Sequence, residues 1–365
     1  MPKTALNQSL PKSSQTGRRL TFVGLAVLAI AFFGFDIMLG SVQIPFKEVF
    51  RIIFQQESEN TAWLFIIEKI RIPKAITAVL VGCGLSVSGL QMQTLFRNPL
   101  AGPSELGITA GAGLGVAAVM LAGGSSASMY AISKLGISGS WLIIVMASLG
   151  SALVLSLILL IAGRIRDNVI LLIVGVMIGT ITLSVVSIWQ YFSQPEQLQE
   201  YIMWTFGSLG GVTEYHLYAL SGVVAFGLLL AFASSKALNA LLLGENYARS
   251  MGLSIGNARL IIMLSTSLLT GSITAFCGPI GFVGIAIPHI TRSLFGTSDH
   301  RVLIPGCCLT GMALLLLCDI ISQLPGMGLV GTQTIIPVNV VTSLLGAPVV
   351  IWIIISRNNL RTSFS

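Results

Sequence analysis

Long apolar runs alternate with short polar islands along the whole chain. Charge-free stretches cover residues 75–96, 135–163, 168–195, 260–288 and 320–356. Each reaches the roughly 20 apolar residues that cross a bilayer as a helix, and the last has room for one full span plus a shorter or broken one. Backbone polar groups in lipid must be satisfied within the spanning segment or in a closed barrel, so runs of this length predict helices. The pattern predicts an all-α polytopic bundle of about ten transmembrane helices. They lie near residues 20–40, 75–96, 101–121, 140–162, 169–193, 202–234 (one long or broken span), 257–279, 280–295, 302–321 and 329–355. Residues 1–19, polar, basic and Ser-rich, read as a disordered cytoplasmic head ahead of a permease domain over 20–356, and 357–365 as a cytoplasmic tail.

Composition agrees with the periodicity. Apolar residues make up 54% of the 365 and charged residues 9%, where ordinary globular domains are about one-quarter charged. Mean hydropathy is +0.89. The net charge of +7 is a topology signal rather than a nucleic-acid footprint. With spans alternating from a cytoplasmic N-terminus, fourteen of the twenty Lys and Arg fall inside. That excess places both termini in the cytoplasm.

Within the spans, Gly82, Gly84, Ser86, Ser88 and Gly89, then Gly107, Gly111, Gly113 and Gly115, are spaced for close helix contact. Breakers at membrane depth are Asn98-Pro99, Pro103, Gly278-Pro279, Pro288, Pro325 and Pro337. Irregular backbone there must be buried in protein or line a water-filled route, so a translocation path is expected. The five cysteines, Cys83, Cys277, Cys307, Cys308 and Cys318, sit in apolar runs without ligand spacing and read as small buried hydrophobes. No metal site is expected. His289, beside Pro288, has no second ligand nearby and is expected to make a structural hydrogen bond.

One polar island stands out, Leu243-Gly244-Glu245-Asn246-Tyr247-Ala248-Arg249-Ser250-Met251-Gly252, between two long spans. Glu245 suits the start of a short helix and Gly252 a left-handed end. It reads as a contact surface for a cytoplasmic motor within a loop at about 236–256; a solvated loop is the plain alternative. None of the seven lysines follows a glycine, so the chain has no phosphate-cradling Walker A loop of its own.

Several blocks in order carry a family resemblance. They are Arg71-Ile72-Pro73-Lys74, Ser88-Gly89-Leu90-Gln91, Arg97-Asn98-Pro99-Leu100-Ala101-Gly102-Pro103, Trp204 to Leu209, the Leu243 to Gly252 island, Gly278 to Gly284 with Pro288-His289-Ile290-Thr291-Arg292, and Gly346-Ala347-Pro348. Across roughly residues 20–356 the chain resembles the iron-chelate and cobalamin permeases of ABC importers.

The resemblance implies a multi-pass protein of the bacterial cytoplasmic (inner) membrane that translocates a metal chelate, most simply a ferric siderophore, with haem or cobalamin as alternatives. It implies two cytoplasmic ATPase subunits that hold ATP and Mg, a periplasmic or lipid-anchored binding protein, and a second permease subunit, identical or different. No cofactor is expected on this chain. ATPase coupling would fall to Leu243, Gly244, Glu245, Ala248, Arg249 and Gly252. Arg71 and Lys74 would be exposed outer cations that receive the binding protein. Asn98, Pro99, Leu100, Asp167 and Asn168 would close the path, and Pro288, His289 and Arg292 would be structural.

Two departures from the family pattern matter. Gln323 stands where an Arg is usual four residues after Asp319, and Ile335 where a Glu is usual. Read as an outer cation and an outer anion lost together, they leave no orphan charge, weaken one docking contact and favour pairing with a different permease chain. An ion-coupled transporter would need intramembrane ionisable groups, and only Asp36, Glu105 and Asp319 offer themselves, each near a span end. An intramembrane enzyme would need a catalytic constellation around the isolated His289.

Overall fold

The structure, a computed structural model, describes residues 15–40, 42–54, 60–121, 139–162, 164–165, 167–325 and 335–362. Residues 1–14 of the expected head and 363–365 of the expected tail lie outside these, as does Lys134 of the loop-charge count. Fourteen helices are described: α1 (Gln15–Met38), α2 (Phe46–Ile53), α3 (Thr61–Leu95), α4 (Ile108–Met120), α5 (Gly139–Ala162), α6 (Asn168–Phe192), α7 (Pro195–Thr205), α8 (Glu214–Ala233), α9 (Ser235–Leu242), α10 (Glu245–Ser250), α11 (Ile255–Cys277), α12 (Val283–Phe295), α13 (His300–Gln323) and α14 (Val338–Thr362). There is no strand among the described residues.

Seven of these helices are long and apolar enough to cross a membrane: α1, α3, α5, α6, α8, α11 and α13. α4 and α12, of 13 residues each, and the longer α14 stand where the other three spans were expected. The expected 202–234 span is broken, because α7 ends at Thr205 and α8 begins only at Glu214. At the two ends of the chain the helices outrun the boundaries drawn from composition. α1 starts at Gln15 inside the expected head, and α14 runs to Thr362 through most of the expected tail.

α3 is the hub. It packs on α8, α11, α12 and α13, and α1 lies on α13 at the outside of the bundle. Every residue from Val81 to Leu95 in its second half is buried. Its small residues explain the density: a Cβ on Gly89 would land on the Gly284 carbonyl of α12, and one on Gly82 on the Gly311 carbonyl of α13. Backbones this close gain dispersion contact that larger residues would forbid.

Two of the blocks singled out in the sequence form one junction. Gly207 and Gly278 both take positive φ, 70° and 74°, and Ser208 N–H donates to the Cys277 carbonyl at 2.7 Å. A Cβ on Gly278 would come within 2.5 Å of the Trp204 carbonyl, which leaves room for glycine alone.

Candidate functional site

The polar island folds as expected into a short helix, α10, between Gly244 at φ 112° and Gly252 at φ 83°. At its end Gly252 N–H donates to the Arg249 carbonyl and Leu253 N–H to the Ala248 carbonyl, satisfying carbonyls a bare helix end would leave open. Ala248 is fully buried beneath it. Leu243, just ahead of the helix, and Tyr247 and Met251 are 64%, 52% and 62% exposed, so apolar side chains face outward around α10, with Arg249 exposed among them.

Glu245 points the other way, which corrects the expectation of a charge presented to a motor. Its Oε1 accepts from Asn168 Nδ2 at 2.7 Å and from Arg259 at 3.3 Å. Arg259, in the first turns of α11, is 7% exposed and donates also to Asn168 Oδ1 (2.6 Å) and the Ile165 carbonyl (2.9 Å). A buried guanidinium needs this many acceptors, because its unpaired charge would be costly to desolvate. Asn168 Nδ2 reaches further, to the Leu95 carbonyl at 2.8 Å in the last turn of α3. Asp167 caps α6, its carboxylate accepting from the Val169 and Ile170 N–H groups.

The loop after α3 carries the other residues expected to close the path. Arg97 takes a left-handed φ of 50°, and Asn98 Oδ1 accepts from Leu100 N–H at 2.9 Å. His289 Nε2 lies 2.8 Å from the Pro99 carbonyl, the structural hydrogen bond its isolation predicted. Arg292 donates to Gln93 Oε1 at 2.6 Å, while Gln93 Nε2 donates to the Ile285 carbonyl at 3.1 Å. Pro288 sits inside α12 and lacks the N–H a helix interior would use. α12 is thereby latched to the end of α3.

Sequence reasoning missed a second polar chain here. Asn239 on α9 donates to Asp299 at 2.7 Å and accepts from the His300 backbone N–H at 2.9 Å. The fully buried His300 ring stands between Asn239 Oδ1 and Thr94 Oγ1, 2.8 Å from each. Burial works against charge on Asp299, yet the Arg301 N–H and the Asn239 amide donate to it and hold its carboxyl below the ordinary value.

The far end of α3 overturns a further expectation. Arg71 and Lys74 are not free outer cations. Arg71 is 6% exposed, and its guanidinium donates to the carbonyls of Ile37, Met38 and Val42. Its backbone ends a π-helical stretch, Ile66–Arg71, within α3. Lys74 Nζ pairs with Asp319 at 2.8 Å. Gln323, 4% exposed, donates to Asp36 at 2.8 Å and to Asp319 at 3.1 Å. Gln323 therefore bridges two buried carboxylates rather than facing a partner, and Ile335, 52% exposed, is no counterpart of it. Two cations and two carboxyl groups gather here, around a cavity of about 390 Å³ that Arg71, Lys74, Asp319 and Gln323 help to line.

A second cavity, of about 300 Å³, opens beside the non-helical stretch at residues 279–282. Ser104, Thr109, Thr270, Thr274, Asn339 and Ser343 share its lining with apolar residues such as Leu85, Ile280, Phe282 and Ile285. Asn339 also accepts from the Gly281 N–H at 2.9 Å, steadying the segment before α12.

Comparison with known proteins matches residues 27–356 to the FecCD transport family. A vitamin B12 import system permease protein BtuC of Escherichia coli O127:H6 (strain E2348/69 / EPEC) is 38% identical over 303 residues, 83% of this chain and 86% of that protein. The protein of the same name from Escherichia coli O1:K1 / APEC is 38% identical over 288 residues, 79% and 82% of the two chains. A solved structure described as an inward-facing conformation of a metal-chelate type ABC transporter superposes with a TM-score of 0.76 at 26% identity, over 90% of this chain and 97% of that one.

Proposed function

This chain belongs to the FecCD transport family, and on that premise we propose that it carries a cobalamin-type metal chelate inward across a bacterial cytoplasmic membrane. It is the permease of an ABC importer and has no ATPase site of its own. The 38% identity with vitamin B12 permeases supports a corrinoid cargo over the ferric siderophore expected from the resemblance alone.

The contact between Glu245 and Asn168 carries the mechanistic part of the reading. It joins α10, with the exposed Leu243, Tyr247 and Met251 about it, to the residues expected to close the path. Two cytoplasmic ATPase subunits would grip Leu243, Tyr247, Met251 and Arg249, and a second permease subunit would complete the route past Asn98, Pro99 and Leu100. An enclosed chelate needs no protein ligand, so a mixed apolar and hydroxyl-bearing cavity such as this one suits a wall of the path. With Gln323 buried, its departure from the family pattern says nothing of the partner, and two copies of this chain are the simpler assembly. A binding protein would dock at the Arg71 end, where Lys69 and Glu214 form an exposed pair at 2.6 Å.

The cargo is tested by uptake in cells whose own chelate permeases have been deleted. Complementation with this chain and its partner subunits should restore accumulation of labelled cobalamin. Ferric siderophore uptake without cobalamin uptake would return the reading to the siderophore class.

A further inference from the structure

Two polar chains that start on the segment around α10 converge on the last turn of α3. The first runs from Glu245 through Asn168 to the Leu95 carbonyl, clamped by Arg259. The second runs from Asn239 on α9 through the buried His300 ring to Thr94. Thr94 and Leu95 are adjacent, and two residues later Arg97 turns the chain into Asn98-Pro99-Leu100 through its left-handed φ. The Arg97 guanidinium in turn lies over Gly244, 3.8 Å from where a Cβ would stand.

We infer that Arg259 and Asn239 are positioning residues that transmit movement of the α9–α10 segment to the Asn98–Leu100 loop through the last turn of α3. This rests on the importer reading above and deepens it. Each chain consists of side chains buried or half-buried against several partners, so pulling the α9–α10 segment outward alone would take Glu245 from Arg259 and Asn239 from the His300 ring. The cheaper motion takes the end of α3 along. The loop is held on its other side by His289 at the Pro99 carbonyl, so a displacement of Leu95 changes the spacing of Asn98 and Leu100 relative to α12. Arg259 and Asn239 spend their hydrogen bonds on buried or half-buried groups, not on the exposed side chains of α10. Their effect is on how motion is shared, not on cargo or partner contact.

The test uses the full complex with ATPase subunits and binding protein in proteoliposomes, and reads cargo taken up per ATP hydrolysed. That ratio does not move when a variant merely lowers the amount of folded complex. Arg259→Met and Asn239→Leu should each lower it at least tenfold, and Arg259→Lys should recover part of the loss. An unchanged ratio in either assembled variant overturns the inference. Should both fail to assemble, Glu245→Gln decides: it keeps the shape and weakens the clamp, and a ratio equal to that of the parent chain overturns the inference just as directly. Absence of ATP-driven uptake in the parent complex would instead refute the importer reading.

Discussion

Lys74 Nζ stands 2.8 Å from Asp319 Oδ2, with the lysine side chain 14% exposed and the aspartate 2%. That pair, not a soluble partner, occupies a cation that looked available at a span mouth. Its neighbours deepen the dependence, since Gln323 donates to Asp319 as well as to Asp36.

Removing one partner of this pair should be worse than removing both. Lys74→Met or Asp319→Asn alone is expected to destabilise the complex by about 3–5 kcal/mol, because an uncompensated buried charge remains. The double variant should recover most of that loss. Thermal unfolding of the purified complex in detergent checks the comparison, and additive losses would mean that the two residues act separately.

Gln323→Leu should cost about 1–3 kcal/mol, since it takes the shared donor from both carboxylates and leaves them facing each other. Binding-protein association should be unchanged beyond that loss, because Gln323 is buried. A selective fall in association rate with normal thermal stability would place Gln323 on the docking surface after all.

Replacing Arg249 with Glu should act at the opposite end of the bundle. Arg249 is exposed among Leu243, Tyr247 and Met251, and reversal of a rim charge chiefly slows association and changes its salt dependence. Binding of ATPase subunits at low and moderate salt measures this. Equal rates for parent and variant at both salt levels would remove α10 from the interface.

Gly89→Ala should separate α3 from α12, since the added Cβ falls on the Gly284 backbone. A loss of about 1–3 kcal/mol is expected from overpacking. Gly24→Ala, where nothing lies within 4 Å of the new atom, should leave stability unchanged and serves as the matched control.

The bundle was legible because the period and length of apolar runs are set by the bilayer, and each of the ten expected spans has a helix in place. α10 was legible too, from Glu245 and Gly252 alone. What the sequence hid were partners distant along the chain: Asp36 and Gln323 are 287 residues apart, and Arg259 meets Asn168 across 91. Charges near span ends read as solvated from sequence, and only the fold shows Arg71 engaged with the Ile37, Met38 and Val42 carbonyls and Lys74 with Asp319. The direction of Glu245 was invisible for the same reason, since a helix-start position says where a carboxylate sits but not what it faces. A buried arginine such as Arg259 was the available clue, because it obliges several acceptors to gather nearby.

On the importer reading, separate ATPase subunits drive a permease that moves no cargo by itself. Reconstitute the chain with its ATPase and binding-protein partners in proteoliposomes, and measure labelled cobalamin uptake with ATP, with a non-hydrolysable ATP analogue, and with an imposed proton or sodium gradient and no nucleotide. The account predicts uptake with ATP only. Uptake driven by an ion gradient through this chain without the ATPase subunits would contradict it.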